Sequence, residues 1–142
     1  MHATRLEGSD RAATWLLAFR AGDDVLGTLR DFAQANDVAA GSFQAIGAFR
    51  RATVAFYDLA ARRYEEHAVD EQVEVCSLVG NVSRFQGAVR IHAHVVLGHR
   101  DLGTLGGHLV QAEVNPTLEL FLRTFDTALE RAPDAASGLP LL

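Results

Sequence analysis

The chain has 142 residues, the usual length of one globular domain, and can bury a core without disulfides or a structural metal. Hydrophobic residues make up 49% and charged residues 22%, which excludes a disordered or fibrous protein. The formal net charge is −5 and the 13 basic residues, all arginine, form no dense basic run, so nucleic acid is a disfavoured partner.

The first predicted elements are a strand and a helix. From Ala13 to Phe19 most side chains are apolar, with large ones at alternate positions, which is typical of a mostly buried strand. From Val25 to about Asn36 the apolar residues recur at helical spacing, and Asp23 or Asp24 is placed to cap the start. We therefore expect one main helix directly after the first strand.

The middle of the chain reads as strands. Residues 41–49 and 52–57 are rich in Phe, Val and Ile, and the basic pair Arg50 and Arg51 between them predicts a hairpin turn. The charged segment Arg62 to Val69 predicts a short polar strand at an edge of the sheet.

Residues 73–82 form another alternating run, which we expect to end in a turn at Gly80 and Asn81. Cys76 lies in this run and is predicted to be a small buried hydrophobe without a role. As the single cysteine, it can form neither an intrachain disulfide nor a cysteine-rich zinc module, which suits a reducing cytoplasm.

The N-terminal residues 1–8 include charged residues where a signal peptide has an apolar core. No segment reaches the roughly 18 apolar residues of a membrane span. These two observations predict a cytoplasmic protein without a membrane partner.

Residues 89–97 give the most informative strand pattern. Ile91, Ala93 and similar residues point to one face, whereas Arg90, His92 and His94 point to the other. One face is therefore predicted to join the core while the other face presents polar side chains.

The last third of the chain predicts a turn over residues 98–103 and two strands. Residues 105–114 place His108 on a common face with Val110, Ala112 and Val114, and Asn115 and Pro116 end that strand. Residues 117–125 read as the last strand.

Asp126 is then predicted to cap a short helix, and the tail from Pro133 to Leu142 is expected to be loosely held. Many strands around one or two helices, without repeats, predict a single α+β domain over residues 1–142.

His92 and His94 are the first candidate metal ligands. On a strand their Cα atoms lie about 6.5 Å apart on one face, so both imidazoles can reach one ion. The alternative is that the two side chains only form local hydrogen bonds.

A third imidazole follows in Gly106-Gly107-His108, where paired glycines indicate a close backbone approach or a bend. Three histidines with an open fourth position are typical of a catalytic or ligand-binding zinc site. Copper, nickel or iron(II) also bind imidazole, so the metal identity stays open.

Other polar residues are candidates for a pocket. Asn81, Ser83 and Arg84 could line it together with Arg90, whose guanidinium would anchor a small anionic ligand, although a solvated loop is the simpler explanation.

Two acidic residues are also candidates for the site. Glu119 and Glu113 are candidates to orient a ligand histidine or to act as a general base, Glu119 being the stronger catalytic candidate with Arg90.

Several fragments in order resemble the PPC domain, which is conserved between plants and prokaryotes. The fragments are Ala40-Gly41-Ser42-Phe43, Ile46-Gly47-Ala48, Val79-Gly80-Asn81-Val82-Ser83, His92-Ala93-His94, Gly106-Gly107-His108-Leu109 and Thr117-Leu118-Glu119. Each is weak alone, but their order and spacing together are specific over roughly Arg5 to Phe125.

The resemblance implies an α+β fold with an antiparallel-rich sheet, one main helix and one or two short helices. It implies a homotrimer, and it implies that His92, His94 and His108 are the residues that bind a metal, zinc or another divalent transition metal. The reaction, if there is one, would be hydrolytic or lyase chemistry with a metal-activated water.

The same resemblance offers a second function. Plant members join this domain to AT-hooks, Arg-Gly-Arg-Pro segments that enter the DNA minor groove, and prokaryotic members are labelled DNA-binding by that association. This chain has no such segment. The alternative function is therefore a DNA-binding, transcription-regulatory or protein-interaction domain, which the negative net charge disfavours.

Overall fold

Antiparallel strands make up most of the computed structural model, which describes residues 1–9 and 12–142. In chain order the elements are β1 (His2–Gly8), β2 (Ala13–Arg20), α1 (Val25–Ala35), β3 (Gly41–Asp58), β4 (Arg63–Val69), β5 (Val73–Phe85), β6 (Ala88–Gly98), β7 (Thr104–Thr124), β8 (Ala132–Pro133) and β9 (Pro140–Leu141).

Seven strands form one sheet in the order β1-β2-β7-β6-β5-β3-β4. An additional pairing of β7 with β3 joins β3, β5, β6 and β7 into a closed ring. The inward side chains of this ring form the hydrophobic core with the buried face of α1. The predicted α+β fold with an antiparallel-rich sheet is confirmed.

Helix α1 begins where the sequence predicts it. The Asp24 carboxylate accepts a hydrogen bond from the backbone N–H of Gly27 at 3.1 Å, which satisfies a free donor of the first turn. The apolar stripe of Leu29, Phe32 and Ala33 is buried. Among the described residues this is the one α-helix, so the expected short helix after Asp126 is wrong.

The predicted hairpin at Arg50 and Arg51 is also wrong. Strand β3 runs through both residues, with register shifts near them in its pairing with β7. The two side chains are exposed on the outer face and form ion pairs with Glu113 of β7, at 3.4 Å from Arg50 and 2.8 Å from Arg51. The polar pair therefore marks a bulged strand and not a turn.

Strand β7 is likewise one continuous element, although two strands divided at Asn115 and Pro116 were predicted. Pro116 lies between Val114, which pairs with Phe49, and Leu118, which pairs with Gly47. The register shifts there, so a residue without an N–H is tolerated where the ladder is irregular.

A second irregularity changes the faces of β7. The pairing with β3 passes from Leu109 directly to Gln111 and leaves Val110 as the extra residue of a bulge. As a result His108 points outward, whereas Ala112 and Val114 are buried in the core. The predicted common face for these residues is therefore wrong.

Strand β5 also continues through the predicted turn at Gly80 and Asn81. A Cβ atom at Gly80 would lie 2.3 Å from the Phe43 ring, so the glycine makes room for that ring in the core. Cys76 is exposed and not buried as predicted, because the register between β5 and β6 shifts at this residue.

The ends of the chain add two features. Strand β1 pairs with β2, a pairing that the charged N-terminal segment did not predict, and β4 is the expected edge strand. The C-terminal segment, expected to be loosely held, forms the small β8–β9 hairpin, and the Tyr57 hydroxyl donates a hydrogen bond to the Ser137 carbonyl at 2.7 Å.

No helix in the described part of the chain is long and apolar enough to cross a membrane.

Candidate metal centre

The three candidate ligands lie on the neighbouring strands β6 and β7. In β6 the residues Ala93 and Val95 point into the core, and alternation places His92 and His94 on the outer face as predicted. His108 of β7 is the direct cross-strand partner of His94. Two strands therefore supply the three imidazoles to one patch of the outer face.

The two glycines before His108 allow β7 to lie close to both of its neighbours. A Cβ atom at Gly106 would be 2.8 Å from the carbonyl oxygen of Val95 in β6. A Cβ atom at Gly107 would be 2.7 Å from the carbonyl oxygen of Ala55 in β3. The close approach inferred from the sequence is thus made to backbone on both sides, and it sets the depth of His108.

One ring nitrogen from each histidine lies within 4.8 Å of the corresponding nitrogens of the other two. The ring centroid of His92 lies 5.2 Å from the ring centroids of both His94 and His108, and the centroids of His94 and His108 are 5.6 Å apart. In a tetrahedral site with Zn–N distances near 2.0 Å, ligand nitrogens lie roughly 3.3 Å apart. Small side-chain rotations would therefore bring the three nitrogens to one ion.

Burial keeps two of the imidazoles neutral. It is the main cause that lowers the pKa of His108 from 6.5 to about 4, and the nearby His92 and His94 lower it further. Burial also lowers the pKa of His92, with smaller contributions from Arg131 and His94. Since a metal binds the neutral imidazole, both groups are in the ligating form at neutral pH.

His108 also has an unsatisfied polar atom. Its Nδ1 is buried and has no hydrogen-bond partner among the described residues. The ring stacks on Tyr64 of β4, with centroids 4.8 Å apart and planes at 28°. A buried nitrogen without a partner is uncommon, and a metal ion in the cluster is a partner that fits it.

Asn81 and Ser83, two of the candidates for a pocket, lie beside the cluster. In the register of β5 and β6, Asn81 lies opposite His92 and Ser83 lies opposite Arg90, so their side chains share the outer face. Both accept hydrogen bonds at 2.8 Å from the Arg131 guanidinium, which the C-terminal segment supplies.

The two arginines proposed for a pocket, Arg84 and Arg90, do not contact the histidines. Arg84 alternates to the opposite face of β5 from Ser83 and pairs with Asp37. Arg90 shares the outer face with His92, but it is exposed and its guanidinium lies 5.8 Å from the centre of the Phe85 ring.

Neither acidic candidate contacts the histidines. Glu113 forms its ion pairs with Arg50 and Arg51. Glu119 is exposed on β7 between Ile46 and Ala18 of the adjoining strands. It follows His108 by 11 positions of the same strand, which is roughly 36 Å of extended chain at about 3.3 Å per residue. A role for either glutamate at this cluster has no geometric support.

Sequence reasoning missed Tyr64 and Arg131. Tyr64 lies in a charged edge segment, where the only signal was an aromatic residue among charges. Arg131 lies between the segment that was wrongly predicted to be a short helix and the tail that was expected to be loosely held. The local sequence pattern therefore did not indicate that it lies near His92.

The sequence matches the family model of the Plants and Prokaryotes Conserved (PCC) domain over residues 7–126. The chain belongs to the PCC domain family. The resemblance inferred from the ordered fragments is therefore confirmed. No protein of curated function matches the sequence significantly.

Solved structures of similar proteins share the PCC fold. A metal-containing protein from Archaeoglobus fulgidus is 32% identical over 99% of this chain and 97% of its own, with a TM-score of 0.85. A plant- and prokaryote-conserved protein from Pyrococcus horikoshii is 25% identical over 99% and 94%, with a TM-score of 0.86. A "putative dna binding protein" from Bacteroides thetaiotaomicron is 23% identical over 98% and 95%, with a TM-score of 0.89, and this likeness shows the fold alone.

Proposed function

We propose that this PCC-domain protein binds one divalent transition-metal ion, zinc foremost, through His92, His94 and His108. The observation that supports the proposal most strongly is the convergence of three imidazole nitrogens within 4.8 Å. Three protein ligands leave a tetrahedral site open at one position, as in catalytic and ligand-binding zinc sites. The similar structure from Archaeoglobus fulgidus, described as metal-containing, supports the same proposal.

The residues around the cluster suit a site that exchanges a ligand. A bound ion of this kind supplies Lewis acidity to whatever group occupies the open position. The chain itself keeps His92 and His108 neutral, stacks Tyr64 on one side of His108 and leaves His94 exposed to solvent. This combination favours a ligand-binding or catalytic role over a purely structural metal.

Elemental analysis of purified protein tests the proposal directly. Wild-type protein should contain close to one equivalent of zinc or a similar metal per chain, and His94→Ala should be depleted. His67→Ala is the matched control, because His67 is an exposed histidine of β4 outside the cluster. Equal metal content in wild type and His94→Ala would refute the assignment.

We also propose that the chain assembles as a homotrimer, as the family resemblance implies. Large apolar side chains on the outer face are exposed, including Ile46 (61%), Val79 (50%) and Phe121 (44%). Phe121 and Val79 flank Gln44 in adjacent strands, so they form one patch. A second copy covering this patch would remove apolar surface from water.

DNA binding is the alternative function. Its support is the family resemblance, whose plant members join this domain to DNA-binding AT-hooks. The net charge of −5 opposes it, because affinity for DNA comes largely from contacts between basic residues and phosphates. We therefore place metal binding first.

A further inference from the structure

The side chain of Arg131 is fixed at the rim of the metal centre. Its Nη2 donates to the Asn81 side-chain oxygen at 2.8 Å, and Asn81 is the direct cross-strand partner of His92. Side chains of such partners have Cβ atoms about 5 Å apart. The guanidinium is therefore a close neighbour of His92, and its charge contributes to the lowered pKa of that imidazole.

Two further hydrogen bonds orient the guanidinium. Nε donates to the Ser83 hydroxyl at 2.8 Å, and Nη1 donates to the carbonyl oxygen of Pro140 at 3.0 Å. The backbone N–H of Arg131 donates to the carbonyl oxygen of Arg84 at 2.8 Å, which ties this segment to the end of β5. The position of the charge is thus set by β5 and by the β8–β9 hairpin together.

All three acceptors of the guanidinium are neutral oxygens. Among the described residues no carboxylate forms an ion pair with Arg131, although four other arginines do form one. One N–H on Nη1 and one on Nη2 remain beyond the three bonds, because a guanidinium has five N–H donors. Two terminal N–H groups are what a carboxylate accepts when it binds arginine.

The four arginines that have a carboxylate partner are Arg50, Arg51, Arg63 and Arg84. Arg131 differs from them because its positive charge is partly buried and is not balanced. The nearest acidic residue in the cross-strand row of His108 is Glu66, two strands away through Ala55, which is about 10 Å. A divalent ion on three neutral imidazoles would add two further positive charges to this patch. The charge of the loaded site therefore favours an anion.

We propose that Arg131 makes the metal centre a binding site for a small carboxylate anion, with one carboxylate oxygen at the open metal position and the guanidinium holding the carboxylate. The proposal rests on the proposed metal function and names the ligand class of that site. Arg131 lies beyond the residues 7–126 that match the PCC domain model, so this contact is supplied by a segment outside the matched domain.

A purely structural role for Arg131, as a clamp for the C-terminal segment, predicts a different result. A clamp affects the stability of the protein but not the affinity of the site for an anion. Arg90 is the matched control, since it is a second arginine on the outer face beside His92 but is exposed and directed toward Phe85.

The test uses the full chain loaded with cobalt(II), whose visible spectrum reports changes in metal coordination. Acetate is titrated at constant ionic strength, with acetamide as the neutral analogue of similar shape. We expect saturable spectral change with acetate and none with acetamide. Arg131→Gln should weaken acetate binding at least about tenfold, because charge-assisted hydrogen bonds are lost. Arg131→Lys should retain part of the affinity, and Arg90→Gln should match wild type.

The outcomes separate the two proposals. If the protein binds no cobalt, the proposed metal function fails and the carboxylate site fails with it. If cobalt binds but acetate leaves the spectrum unchanged, the metal function stands and the carboxylate site is refuted. Equal acetate affinity in wild type, Arg131→Gln and Arg131→Lys would show that Arg131 is only a clamp. Cobalt content and thermal midpoint are measured for each variant, and Arg131→Lys decides the question if Arg131→Gln does not fold.

Discussion

His94 and His108 face each other directly across β6 and β7, with ring planes at 84° and centroids 5.6 Å apart. The turn between these strands fixes the register, so the third imidazole is placed by local hairpin geometry and not by a distant part of the chain. His92 joins the pair because it is two residues from His94 on the same strand face. The metal centre is therefore built almost entirely within one hairpin.

The stability of the metal-free protein should fall as the pH is lowered from about 6.5 toward 4. The pKa of His108 is about 4 in the folded chain and near 6.5 in the unfolded chain, so over this window only the unfolded state takes up the proton. The contribution is fully present above pH 6.5 and is lost as the pH falls toward the folded pKa. After allowance for partial exposure, the loss is on the order of 2 kcal/mol.

Denaturant unfolding at several pH values between 4 and 7 measures this dependence. His108→Gln removes the titrating group and should reduce the slope of unfolding free energy against pH, while the carboxylates titrate equally in both proteins. Identical slopes for wild type and His108→Gln would contradict the assigned environment of His108.

Gly107→Ala should destabilise the protein by about 1–3 kcal/mol and weaken metal binding. The added Cβ would lie 2.7 Å from the Ala55 carbonyl oxygen, so β7 must move away from β3 and take His108 with it. Gly103→Ala is the control, because a Cβ there meets only the side chain of Asp101. Thermal unfolding and metal titration of both variants test this, and equal behaviour of the two would show that the close approach at Gly107 does not matter.

The sequence predicted the part of the site that depends on short-range periodicity. Alternation along β6 separated His92 and His94 from Ala93, and the paired glycines pointed to a close approach before His108. The pattern failed where strands are bulged. Arg50 and Arg51 resembled a turn because two adjacent polar residues interrupt an apolar run, and alternation alone does not distinguish a turn from a bulge on the outer face.

Short-range periodicity could not predict contacts between segments that are distant in the sequence. Arg131 reaches Asn81 and Ser83 because the chain after β7 returns to the end of β5, and no local pattern in that segment indicates where it packs. Glu119 illustrates the opposite error. Its residue type and its place in a matching fragment suited a catalytic role, yet strand β7 places it far from His108.

DNA affinity should be weak and without sequence preference at physiological salt. The net charge of −5 repels the phosphate backbone at long range, and the arginines form no dense basic run that could follow it. A gel shift of the isolated chain with random and promoter-derived duplexes measures this. Nanomolar, sequence-selective binding would place DNA binding ahead of metal binding as the function of this protein.

The assembly should be a homotrimer whose mass does not depend on the metal. His92, His94 and His108 all belong to one chain, so the ion would connect β6 and β7 within a subunit. The contact between subunits is assigned to the apolar patch of Val79 and Phe121, and burial of such side chains does not require the ion. Chelation should therefore empty the site and leave the mass unchanged.

Light scattering after chromatography, with and without a chelator, measures the mass against the 15.4 kDa of one chain. Val79→Asp should dissociate the trimer, because it places a charge in the apolar patch, where ionised groups are costly to bury. Leu102→Asp is the matched control, since Leu102 is 87% exposed in the loop between β6 and β7 and lies outside the patch. A monomer in wild-type samples would refute the trimer, and a trimer that falls apart on chelation would place the metal at the contact between subunits.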